Sequence, residues 1–181
     1  MKNKVFWITR TAVLLALLVA LQALTKPLGQ LVTGSCVNAV LAVAALAGGL
    51  GCGLTVAAVS PVLAFWLGIA PQPLTVPAIA VGNAVYVLVL FWLAGPCCKK
   101  AWLRLAGWVT AAICKSAVLY AIVVVLICDV LAKSLLDAGL LKEPMLKLLP
   151  ATFGWPQLVT ALVGGAVALL ILPVLKKALR R

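Results

Sequence analysis

The sequence predicts an all-α fold, a polytopic membrane protein built as a six-transmembrane-helix bundle with both termini cytoplasmic. Three observations predict it. Of 181 residues, 66% are hydrophobic and only 10% charged, with a mean hydropathy of +1.25, more apolar surface than a soluble core of this size needs. Several apolar runs reach about 18 residues or more, the length that crosses ~30 Å of hydrocarbon, and they are continuous rather than alternating, which counts against a transmembrane barrel. The basic residues flank those runs and collect on one side. A single domain, 1–181, fits the length.

The spans are expected at 6–24, 36–50, 53–69, 74–94, 107–130 and 154–176. Lys2 and Lys4 before the first run resemble the start of a signal peptide. That run is too long for an h-region and no Ala-x-Ala lies near its end, so it reads as a retained helix. The stretch 36–69 is split by "GGLGCG" at 48–53 into two short helices with a tight glycine turn; as one span it is too long unless steeply tilted. Charge decides for six spans. Both termini and the 95–106 loop then share a side with Lys2, Lys4, Arg10, Lys99, Lys100, Arg104, Lys176, Lys177, Arg180 and Arg181, whereas five spans would move that loop and the C-terminus outside. Trp7, Trp92, Trp102 and Trp108 fall near inner ends, and Trp66 and Trp155 at outer ends, as an aromatic belt requires.

The outer connections are uneven. Residues 25–35 and 70–73 are short Pro- or Gly-containing links, whereas 131–153 is long and amphipathic, with leucines separated by Lys, Asp and Glu. It is expected to lie on the outer surface as one or two short helices, either as a lid or as a plain connector. No internal repeat is evident, which counts against an inverted-repeat transporter.

The net charge of +12, from fifteen Lys and Arg against three acids, serves topology here, and no basic face is left free for nucleic acid. The six cysteines form no CxxC and the chain has no histidine, so no metal site or redox pair is signalled; the cysteines read as small apolar side chains. No catalytic constellation appears either. The three acids lie at the outer edge, there is no Gly-rich phosphate loop, and no intramembrane carboxylate is available to carry a coupling proton or sodium ion. A solute moved by this chain needs energy from a partner; the chain calls for no cofactor of its own.

Polar groups at membrane depth are costly and need a reason. Asn38 lies near the outer end of span 2 and Asn83 near the middle of span 4. Lys115 is about a third of the way into span 5, with Tyr120 further out, and Gln157 and Thr160 follow Trp155 in the outer turns of span 6. Gln22 is near the outer end of span 1. Their outward bias suits a small polar solute held from outside: amides donate and accept, Tyr and Trp stack on a flat ring, and a lysine offsets a carboxylate. The candidate substrate-binding set is Asn38, Asn83, Lys115, Tyr120, Trp155, Gln157 and Thr160. Each singly also reads as helix-to-helix glue worth under ~1–2 kcal/mol. Lys115 either snorkels to the inner surface or faces a cavity.

Ala12, Ala16 and Ala20 recur at every fourth place in "RTAVLLALLVALQAL". With "VNAVLAVAALAGGLGCGLTVAAVSPVLAFWLG", the closing "FGWPQLVTALVGGAVALLILPVLKKAL" and the overall plan, this resembles the substrate-binding S component of energy-coupling factor (ECF) vitamin transporters, over nearly the whole chain. The resemblance implies a subunit of the bacterial plasma membrane that takes a vitamin-like small molecule from outside. It further implies docking to a T component joined to two ATP-hydrolysing subunits, with Ala12, Ala16 and Ala20 as the docking face. Small residues at i, i+4 and i+8 leave a groove for another helix. That helix is either the partner's or this protein's own last span, where Ala161, Gly164, Gly165 and Ala168 make a similar seam. The rival functions are a self-sufficient small channel or facilitator, a lipid-acting membrane enzyme, and a scaffold subunit without a ligand.

Overall fold

The computed structural model describes residues 2–69, 72–95, 98 and 100–179, and every regular element among them is helical. Helix α1 spans Lys2–Thr25 and closes in a 3-10 turn, Lys26–Leu28. Helix α2 spans Gln30–Val43 and runs on as a π-helical stretch, Ala44–Gly48. Helices α3, Leu50–Trp66, and α4, Thr75–Ala94, follow. Helix α5, Ala101–Leu119, continues in π geometry over Tyr120–Val130. Two short helices, α6 (Ala132–Asp137) and α7 (Glu143–Phe153), precede α8, Trp155–Leu179.

Among the described residues, five helical runs are long and apolar enough to cross a membrane: Val5–Leu28, Gln30–Gly48, Thr75–Ala94, Ala101–Val130 and Glu143–Leu175. Helix α3 is apolar but has 17 residues, about 25 Å of helix at 1.5 Å per residue. The glycine break is where the sequence places it. Gly49 has φ +90°, a conformation that L side chains rarely adopt, and it turns α2 into α3.

Two boundaries and the setting of one side chain differ from the sequence expectation. Residues 25–35 are not a connection throughout: Gly29 breaks the chain at φ +90° and α2 starts at Gln30, because the following residues contain no proline to stop a helix. The 95–106 loop is shorter, since α5 begins at Ala101. Arg104, expected in the loop, lies in the first turn of α5 and donates from Nε to the Cys98 carbonyl at 2.9 Å. Trp108 does not sit in a belt. It is half-buried, its indole lies against Gly165, and its Nε1 donates to the Ala161 carbonyl at 3.5 Å. Residues 70, 71, 96, 97 and 99 of the expected links lie outside the described residues, as do Arg180, Arg181 and the side chains of Lys2, Lys4 and Lys176.

The long helices alternate in direction. Trp7 near the start of α1 lies against Gly51 at the start of α3, and Lys26 at the far end of α1 reaches the Gly68 carbonyl after α3. Helix α8 runs alongside α2, and the contact depends on a missing side chain: a Cβ on Gly164 would fall 2.5 Å from the Ser35 carbonyl oxygen and 2.6 Å from Asn38 Cβ. The seam of α8 is therefore occupied by α2 and α5. Helix α1 packs on α2 and α3, burying Leu18 and leaving Ala12, Ala16 and Ala20 exposed.

Two apolar clusters hold the bundle. The larger one joins Leu18, Leu41, Val56, Tyr86, Val87, Leu90, Ala111, Ala161 and Leu172 from all six long helices. The smaller one fastens the 131–153 segment to the end of the bundle through Leu141, Leu149 and Phe153, packed with Ala78, Leu119, Val123 and Ile127. Its charged residues Lys133, Asp137, Lys142, Glu143 and Lys147 stay exposed, as its amphipathic pattern requires.

Candidate functional site

The polar residues of the bundle interior meet at one place. Asn38 on α2, Asn83 on α4 and Lys115 on α5 all lie inside helices, so their backbone groups are satisfied along the helix and only the side chains need partners. Lys115, 3% exposed, extends between the two amides. Its Nζ donates to Asn38 Oδ1 at 2.5 Å and to Asn83 Oδ1 at 2.7 Å, and lies 5.5 Å from the centre of the Tyr86 ring. Tyr86 is held by its hydroxyl, which donates to the Ala161 carbonyl at 3.3 Å. Lys115 therefore turns inward rather than along the helix to the bundle's end.

The amides carry the network further. An ammonium only donates, so both asparagines must present oxygen to Lys115 and turn their nitrogens elsewhere. Asn38 Nδ2 donates to Thr160 Oγ1 at 3.3 Å. Thr160 Oγ1 donates to the Gln157 carbonyl at 3.1 Å, and Gln157 Nε2 to the Thr152 carbonyl on α7 at 3.2 Å. Asn83 Nδ2 finds no partner. Among the described residues, two more buried polar atoms are without one, Ser60 Oγ on α3 and Gln22 Oε1 on α1.

All three of these residues line one cavity of about 550 Å³, together with Lys115, Asn38 and Gln157. Its volume falls in the range of small-molecule sites. Thr152 and Phe153 of α7 form one side, and Val37, Pro61, Ile79 and Leu119 supply apolar wall. Lys26 and Gln30 line it while exposed, so the cavity reaches the surface at the turn between α1 and α2. On the other side of the Lys115 cluster the bundle is filled by Leu18, Leu41, Val56, Val87 and Leu90.

The amine of Lys115 has amide oxygens, not a carboxylate, as its partners. The chain's three acids, Asp129, Asp137 and Glu143, are all exposed, and no carboxylate bonds Lys115. A buried cation that meets only amide oxygens and a ring face retains attraction for an anion.

Of the residues expected from the sequence, Asn38, Asn83, Lys115, Gln157 and Thr160 are brought together here. Tyr120 and Trp155 are not: Tyr120 is 51% exposed, Trp155 is 68% exposed, and neither lines the cavity. Both follow a helix face that turns to the periphery. Ser60 and Tyr86 escaped the sequence reading. Ser60 is a single hydroxyl in an apolar run, and its one signal is its place before Pro61, in the middle of a span. Tyr86 lies one helical turn after Asn83, on the same face.

Fold and site together define a multi-pass helical membrane protein with a polar-floored cavity at one end. The chain matches no protein-family model, no curated protein and no solved structure at a significant level.

Proposed function

We propose that this protein captures a small nutrient molecule from outside the cell and passes it on as the substrate-binding S component of an ECF-type importer in the bacterial plasma membrane. The observation that carries the reading is the cavity: polar-floored, open to the surface at one end, and backed by a packed apolar core at the other. A binding pocket has that form. A self-sufficient channel needs a continuous path through the bundle, and beyond Lys115 the way is filled by a packed core that includes Leu18, Leu41, Val56, Val87 and Leu90.

In this reading all six long helices cross the membrane, including the 17-residue α3. Both termini face the cytoplasm and the α6–α7 segment covers the outer end. The exposed Ala12, Ala16 and Ala20 on α1 meet a T component, which couples the subunit to two ATPases. The chain itself binds and catalyses no bond change.

The test is purification of the full chain under mild detergent from its native host, followed by native mass spectrometry. One small molecule bound per chain, and co-purifying membrane and ATPase subunits, are the expected results. Solute flux through vesicles holding this chain alone, without ATP, would point to the facilitator instead.

A further inference from the structure

We propose that the molecule held in this cavity is a small amphipathic carboxylate whose acid group is bound by Lys115, Asn83 and Ser60. The inference rests on the capture reading above and names the chemistry of its ligand. Four observations on the cavity wall lead to it.

The first is charge. Lys115 is the buried cation of the bundle, among the described residues, and none of the chain's three carboxylates is in reach to neutralise it. Its hydrogen bonds go to two neutral amide oxygens, which occupy two of its three N–H donors. The second is a pair of unsatisfied groups on the wall of the same cavity, one of them on Asn83, which bonds Lys115 directly. Asn83 Nδ2 can only donate, and Ser60 Oγ can donate as well as accept; both residues are 1% exposed and both atoms lack a partner. One ammonium with two neutral donors matches a single carboxylate, whose two oxygens accept several hydrogen bonds. A phosphate dianion asks for more positive charge than this floor provides.

The third observation is Gln22 Oε1, buried on α1 without a donor. A ligand hydroxyl or N–H satisfies it, so the acid carries a second polar group. The fourth is the apolar wall of Ile79, Leu119 and Phe153, which covers the body between the two ends. At the exposed end Lys26 adds positive charge, with its Nζ tied to the Gly68 carbonyl at 2.6 Å. The path inward thus passes one cation and ends at another, which favours entry of an anion.

The experiment uses the purified full chain in detergent and follows its thermal unfolding midpoint and binding isotherms with matched probes. These are benzoate and benzamide, nicotinate and nicotinamide, and hydroxyphenylacetate and its primary amide. Within each pair the shape is kept and the charge is removed. At least one acid stabilises the protein, and its amide binds about tenfold more weakly or worse, the scale of one lost charge-assisted hydrogen bond. Lys115→Met abolishes the acid's advantage, and Lys115→Arg retains it. Failure of every acid to stabilise the wild-type chain, equal binding of acids and amides, or an acid preference that survives in Lys115→Met each overturns the proposal. Should Lys115→Met not fold, the wild-type acid–amide comparison decides alone. A neutral solute found on the native protein by mass spectrometry overturns the carboxylate while leaving solute capture intact.

Discussion

At the scale of single residues, the bundle places its polar groups where their loss is coupled. Asn38 accepts from Lys115 and donates to Thr160. Replacing Asn38 by Leu removes both bonds and leaves a buried ammonium short of an acceptor, so we expect about 1.5–3 kcal/mol of destabilisation. Lys115→Met in the same chain removes the orphaned charge. The double variant is then less destabilised than the sum of the two single ones, which a double-mutant cycle on detergent unfolding would measure; simple additivity would mean the bond does not exist. Close approach is decisive too. Gly164→Ala drives a Cβ into the Ser35 carbonyl and Asn38 Cβ, with an expected cost of about 1–3 kcal/mol in the same assay. That asparagine and lysine lie at depth was legible in the sequence, because any polar residue in an apolar run stands out. Their partners were not, since Asn38 and Lys115 are 77 positions apart.

At the scale of elements, α1 has two faces with different work. Leu18 is fully buried against the bundle, whereas Ala12, Ala16 and Ala20 are exposed. Leu18→Ala should cost about 2–5 kcal/mol of stability. Ala16→Trp points away from the core and should stay within about 0.5 kcal/mol of wild type, with ligand binding intact and co-purification of the ATPase subunits lost. A large loss of folding in Ala16→Trp would place that face against the protein's own helices. The periodic alanines were visible in the sequence, but two seams of small residues, one on α1 and one on α8, looked alike there. Packing separates them: Gly164 on α8 is covered by α2 and Gly165 by Trp108, so the α1 face is the one left over. The 131–153 segment was legible as short amphipathic helices. Its docking through Leu141, Leu149 and Phe153 required the partners Leu119 and Val123, which the sequence supplies from another span.

At the scale of the whole molecule, the proposed topology has a direct test. In a background free of native cysteines, Lys142→Cys on the α6–α7 segment should react with an impermeant thiol reagent in intact cells. Lys100→Cys, before α5, should react only after lysis. Both positions are exposed, so burial does not mask the result. The opposite pattern reverses the orientation of the bundle.

Composition and apolar run length alone determined that this is an all-α, multi-pass membrane protein, because a chain this apolar has few ways to satisfy its backbone in lipid other than as helices. The glycine break at Gly49 was equally local, since a positive φ is a property of one residue. Only the tertiary structure decided which polar residues share a cavity. It set Asn38, Asn83, Lys115 and Gln157 there, tied Thr160 to them through Asn38, added Gln22 and Ser60, and left Tyr120 and Trp155 on the periphery. The physical reason is rotation. Span and depth follow from position along the chain, but the direction a side chain faces depends on how each helix is turned against its neighbours. In a helix apolar on every side, no amphipathic pattern records that turn; it is set by side-chain packing, such as Gly164 against α2 and Gly82 against Leu119.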